Sequence, residues 1–205
     1  MLRVISSVFV LFFGGTAMAI EEPPFAVESK TDEYEIRKYD KVLVAETIVE
    51  AQFEDAGNQA FRILADFIFG NNRSQTKISM TAPVTQQPAS EKISMTAPVT
   101  QTAQSGGFLV QFVMPQQYTL ETLPEPVDQR VKIREIPGRR VAVYRYSGSW
   151  SEAKYQEELS KFRDALKRDQ LSASSEPILS RFNSPFSLWF LRRNEIWVEV
   201  MPSGS

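Results

Sequence analysis

Any chemistry in this chain has to be built without histidine or cysteine, because its 205 residues contain neither. That removes Ser-His-Asp and Cys-His nucleophiles, an imidazole general base, and zinc centres of the usual nitrogen and sulfur kind. Carboxylates, lysines and tyrosines remain for acid–base work. Two carboxylates about 5–10 Å apart across a cleft would suit glycoside hydrolysis, but the sequence singles out no such pair. Without cysteine there are also no disulfides, so a packed core has to supply the stability.

Residues 1–19 have the form of an export leader. Met1-Leu2-Arg3 is a short positive start, Val4 to Phe13 is apolar apart from Ser6 and Ser7, and Ala17-Met18-Ala19 matches the small-x-small pattern of a cleavage site. The apolar run falls short of the ~20 residues that span a bilayer. This reading implies a periplasmic or secreted protein with no stable membrane span once the leader is removed. Residues 20–205 are long enough for one domain that buries roughly 70% of its unfolded surface. The net charge of −2 lacks the basic excess that general nucleic-acid binding requires.

The pattern along the chain is mixed α+β. Tyr34, Ile36, Val42 and Val44 alternate with period two and predict strands. Phe53, Ala56, Ala60, Phe61, Leu64, Phe67 and Ile68 form the stripe of an amphipathic helix that stops at Gly70-Asn71-Asn72. Phe108, Val110, Phe112 and Met114 share the phase of one strand. Val131 to Tyr146 reads as a strand pair turning at Pro137-Gly138. A second helix is predicted from Ser149, with Glu152 completing a capping box and Tyr155, Leu159, Phe162 and Leu166 facing the core. Its charged face, which includes Lys154, Glu158 and Lys161, reads as solvated. Two strands close the chain, near Ile178 to Phe182 and Glu195 to Val200.

Two repeats organise these elements. Glu35-Ile36-Arg37-Lys38 and Val44-Ala45 correspond to Lys132-Ile133-Arg134-Glu135 and Val141-Ala142, and each set runs into a helix. This predicts two pseudo-symmetric halves. The second repeat is exact: the ten residues from Lys77 to Gln86 recur from Lys92 to Gln101. Both copies could pair as a hairpin, or one could enter the sheet while the other loops out. Each proline has to sit at an edge or outside the ladder.

The stretch Lys77-Ile78-Ser79-Met80-Thr81-Ala82-Pro83-Val84 resembles the signature of the SOUL/heme-binding protein family. Phe112-Val113-Met114-Pro115, Arg140-Val141-Ala142-Val143, Arg181-Phe182-Asn183-Ser184-Pro185-Phe186 and Leu191-Arg192-Arg193-Asn194-Glu195-Ile196-Trp197 are similar to later family motifs, in order. The resemblance implies a distorted antiparallel β-barrel or sheet flanked by two helices. It also implies a non-catalytic module that binds heme or another tetrapyrrole.

In this chain the resemblance places a ring-binding surface on the first helix, at Phe61, Arg62, Leu64 and Ala65, with Met80 beside it. Asn58 and Asp66 stand where basic residues would be expected to meet propionates, and Arg62 is the substitute cation. Only Met and Tyr remain as iron ligands. The alternative is the same fold binding another hydrophobic small molecule or a protein partner. The helix stripe is equally what a core demands, methionine commonly fills packing gaps, and Arg192, Arg193 and Glu195 suit a structural ion-pair cluster.

Overall fold

The computed structural model describes residues 20–74, 90–183 and 187–201. In chain order the elements are β1 (Phe25–Lys30), β2 (Tyr34–Tyr39), β3 (Val42–Val49), α1 (Phe53–Ile68), β4 (Asn72–Arg73), β5 (Val99–Gln104) and β6 (Gly107–Val113). They continue with β7 (Glu125–Pro126), β8 (Lys132–Ile136), β9 (Arg139–Tyr146), α2 (Glu152–Arg168), β10 (Ile178–Arg181), a single 3-10 turn (Trp189–Leu191) and β11 (Asn194–Glu199). Nine strands make one antiparallel sheet in the order β1-β2-β9-β11-β10-β5-β6-β3-β8, and β4 pairs with β7. The fold is the expected α+β sheet with two helices.

Leaving β1 aside, the order reads the same from both ends. It exchanges β2 with β8, β9 with β3, β11 with β6 and β10 with β5. This palindrome is the structural form of the two halves expected from the sequence. One expectation needs correction: β8 and β9 do not pair with each other across Pro137-Gly138. β8 pairs with β3 and β9 with β2, so both two-strand units open at a corner and exchange partners. The corners nearly touch, since a Cβ on Gly138 would lie 3.1 Å from the Tyr39 carbonyl oxygen. A turn signal fixes where a strand stops, whereas long-range pairing fixes its neighbour.

The ladders align two rows across the sheet. On the helix-bearing face Thr47, Val110, Gln101, Leu179, Ile196, Tyr144 and Tyr34 are successive partners. α2 seats Tyr155, Leu159, Phe162 and Leu166 against Ile36, Ala142, Leu179 and Val198 there, and α1 seats Ala60, Leu64 and Phe67 against Ala45, Val110 and Phe112. The helix starts two residues later than the sequence suggests. Ser151 is its cap and accepts from Lys154 N at 3.4 Å, while Ser149 contacts Ser151 Oγ. Glu158 is buried rather than solvated, held by Lys154, Lys161 and the Tyr144 hydroxyl.

The opposite face carries Glu46, Gln111, Thr100, Ser180 and Glu195 as successive partners, and all five are buried. Val141, Val143, Ile178 and Trp197 pack on the same side. The polar row is bridged from Glu46 to Thr100, by Arg134 Nε to Glu46 at 3.1 Å, Gln111 Nε2 to Glu46 at 2.8 Å, and Thr100 Oγ1 to Gln111 at 3.2 Å.

Glu195, with no solvent exposure, ends that row. Its carboxylate accepts from Arg37 Nη1 at 3.0 Å, Arg193 Nη2 at 2.9 Å and Trp197 Nε1 at 2.8 Å. Arg37 also binds Glu35 and the Tyr39 hydroxyl, and Arg193 reaches Glu22 in the N-terminal segment. Burial works against the charge on Arg37, but Glu195, Tyr39 and Glu35 outweigh it and raise its pKa above the usual arginine range. Arg192 is not part of this cluster. Its guanidinium lies over the Trp150 ring at 4.1 Å, and its Nε donates to the Ser187 carbonyl at 3.0 Å.

Arg181 is 9% exposed, lies 5.1 Å over the Trp150 ring, and has no acid partner among the described residues. Desolvation, reinforced by Arg192 and opposed by Tyr146, pulls its pKa down to about 10. α1 approaches it through Gly57, where a Cβ would stand 2.2 Å from Arg181 Nη1.

Two stability tests follow from this packing. Glu195→Gln leaves two guanidiniums facing a neutral amide and is expected to cost about 3–5 kcal/mol in urea denaturation. A loss below ~1 kcal/mol, the scale of an exposed pair, would mean that the network is solvated. Glycine to alanine normally stabilises a helix interior, but Gly57→Ala is expected to destabilise by about 1–3 kcal/mol through overpacking. A gain in melting temperature would show that Arg181 swings aside freely.

Candidate functional site

The residues predicted on the first helix divide between its two sides. Leu64 has no exposed surface and Ala65 is 7% exposed; both pack into the core beneath α1. They brace the helix, and a ligand on the outside meets their neighbours instead. Phe61 is half-buried, with its ring 5.4 Å from that of Phe112. Arg62 is exposed and has no ion-pair partner among the described residues. Met80 and the first copy of the repeat lie outside the described residues.

Arg62 lines a shallow groove of ≈ 430 Å³ together with Gln59, Ile63, Asp66, Asp128 and Arg130. Arg130 is forked onto Asp128, with Nη2–Oδ2 at 2.6 Å, and the pair holds the Asp128 carboxyl below its ordinary pKa. Asp66 accepts from Asn71 Nδ2 at 2.5 Å. The groove therefore offers one cation without an ion-pair partner among the described residues, a second guanidinium already neutralised, and apolar surface from Ile63. Gln59, Ile63 and the 128–130 turn were absent from the sequence reading. Helical spacing from Arg62 reaches the first two, but only the folded chain brings the turn alongside.

The second copy of the repeat takes the sheet position. Ile93 N donates to the Ile68 carbonyl at 2.8 Å, and Asn72 Nδ2 donates to the Glu91 carbonyl at 2.8 Å, tying the copy to the end of α1. Ile93 enters the core under α1, Pro98 sits just before β5, and Met95 is 37% exposed. Of the tyrosines considered as ligands, Tyr34 donates to Asp169 Oδ2 at 2.5 Å and Tyr39 is buried against Arg37 and Trp197.

A deeper cleft of ≈ 480 Å³ opens at the corner of the sheet, between the N-terminal segment, the β2–β3 corner and residues 113–121. Its walls are apolar at Pro23, Leu43, Met114, Pro115, Tyr118 and Leu120. Its rim carries Glu21, Glu22, Asp40, Glu121 and Glu135 against the single cation Lys41. The Thr119 hydroxyl lowers the pKa of Glu121, which keeps it charged near neutral pH. The groove's two guanidiniums are balanced by Asp66 and Asp128, whereas the cleft is acidic, so an anionic ring is better suited to the first.

Several known proteins are similar to this chain in sequence or in fold. Heme-binding protein 2 of Homo sapiens is 28% identical over 190 residues, covering 89% of this chain and 87% of that protein. Among solved structures, the C-terminal domain of EcmrR superposes with a TM-score of 0.58 over 82% of this chain and 98% of that one, at 8% identity. A hydrolase from Listeria innocua superposes with a TM-score of 0.51 over 85% and 94%, at 12% identity. Identities this low establish a shared fold only. The sequence profile described as SOUL heme-binding protein matches residues 20–199, and the chain belongs to that family.

Proposed function

We propose that this chain is a non-catalytic binding protein of the cell envelope that holds heme or a related tetrapyrrole on the outer side of α1. The observation that carries the reading is the exposed Arg62, without an ion-pair partner among the described residues, next in sequence to half-buried Phe61, in a chain whose family is described by heme binding. The ring would rest on Phe61 and Ile63, and its propionates would meet Arg62. Arg130 would join only by sharing or leaving Asp128. With no His or Cys in the chain, apolar contact and propionate pairing have to contribute most of the affinity.

Two further observations support parts of this reading. Every described carboxylate whose pKa departs from its ordinary value is lowered: Glu35, Glu121, Asp128, Glu157 and Glu158. A glycosidase-type general acid needs the opposite shift. The leader-like residues 1–19 favour export, and no helix among the described residues is long and apolar enough to cross a membrane.

The acidic cleft supports a second reading, a hydrophobic cation held between apolar walls by Asp40 and Glu121. One set of titrations separates the two. Hemin is expected to bind saturably, one to one, by Soret absorbance. Phe61→Ala and Arg62→Glu should each weaken it about tenfold, equivalent to ~1.4 kcal/mol, without loss of far-UV circular dichroism. Unchanged hemin affinity in both folded variants would move the site off α1. Saturable binding of a lipophilic quaternary ammonium dye that Asp40→Asn abolishes, with no saturable hemin binding, would favour the cleft.

A further inference from the structure

The segment that leads into β11 exposes a feature that tetrapyrrole binding does not use. Leu188, Trp189, Phe190 and Leu191 are 58%, 62%, 52% and 67% exposed. Every other exposed large apolar residue among the described residues stands alone in sequence. Trp189–Leu191 form a 3-10 turn, closed by Leu191 N to the Leu188 carbonyl at 3.0 Å. Successive side chains in such a turn point about 120° apart. A turn lying flat on the body would bury at least one of them, and none is buried. The turn therefore projects as a tip.

The tip is firmly mounted. Trp189 and Phe190 meet edge to face with centroids 5.6 Å apart. At its base Arg192 stacks on Trp150 and donates to the Ser187 carbonyl. Arg193 is committed to Glu22 and Glu195 and lies 3.7 Å over the Phe182 ring. The charges beside the tip are thus already engaged, and the chain as a whole carries −2.

We propose that this tip inserts into the interfacial layer of a phospholipid bilayer and seats the folded domain on a membrane surface. Four large side chains at about half exposure offer on the order of 400–500 Å². That matches the largest apolar patch of a typical monomer, which is often functional, but falls short of the ~800 Å² per partner that a stable protein complex buries. A projecting knob also suits a penetrable partner better than a flat one. Trp with Phe and Leu is the composition of the apolar face of segments that lie in the membrane interface. Because the neighbouring arginines are occupied, the attraction comes from apolar insertion and is insensitive to salt.

The test uses the full chain with phosphatidylcholine vesicles carrying brominated acyl chains, which quench tryptophan emission on close approach. Trp189 is the exposed tryptophan; Trp150 is half-buried and Trp197 is 2% exposed. Quenching is expected to survive about 0.5 M salt, where charge attraction is screened, and to vanish in Trp189→Phe. Phe190→Ser with Leu191→Ser should reduce co-sedimentation with vesicles at least tenfold at an unchanged melting temperature. Absence of Trp189 quenching would overturn the proposal. So would vesicle binding that the double variant leaves intact, or binding confined to anionic lipid at low salt. A tip-dependent dimer without quenching would overturn it in favour of a second copy of the chain.

Discussion

A carboxylate with no contact to solvent governs how this sheet is put together. Glu195 cannot be buried charged unless its donors arrive together, and they come from β2 (Arg37), the residue just before β11 (Arg193) and β11 itself (Trp197). The requirement fixes register. A one-residue slip of β11 would turn Glu195 toward α2 and Ile196 toward the polar row. The row from Glu46 to Glu195 makes the same demand of β3, β6, β5 and β10, because each partner is already bridged to the next strand or enclosed with it. Once the strands are locked, the opposite face presents a fixed apolar surface. The helices then have one seat each, and the outer side of α1, with Phe61 and Arg62, is positioned as a consequence.

Periodicity made the helices, the terminal strands and the two-fold organisation legible, because each depends on spacing within a short window. The palindromic strand order gives the faint likeness of residues 35–45 to residues 132–142 a physical meaning: both are units that open at a corner and exchange partners. What spacing cannot carry is pairing between distant strands, and so β8 and β9 look like a hairpin when they are not. Helical phase also separates an inner from an outer side more finely than a stripe suggests. Leu64 and Ala65 fall on the sheet side, and Phe61 sits at the boundary. Glu158 was unreadable for a related reason, since a glutamate flanked by lysines looks solvated until Tyr144 arrives from the sheet. Arg181 was equally silent, because its burial depends on a glycine in another element.

Charge divides the surface into regions suited to different ligands. The groove on α1 offers a guanidinium without an ion-pair partner among the described residues next to Ile63, whereas the corner cleft gathers five carboxylates around a single lysine. Family membership raises the expectation of a dicarboxylate ring, and simple electrostatics directs such a ring away from the larger opening. Asp66 and Asp128 balance the groove's two guanidiniums, so contact with the ring face has to contribute a large share of the affinity. The larger of these two openings and the better-matched one are therefore different places on this molecule.

The most direct measurement is a two-dimensional nitrogen–proton NMR titration with zinc protoporphyrin, whose ring current shifts nearby amides without paramagnetic broadening. Amides of residues 59–66 and 128–130 are expected to shift progressively and saturate together, with the corner cleft unaffected. Shifts confined to residues 40–43 and 113–121, or no saturable shift anywhere, would contradict a tetrapyrrole site on α1.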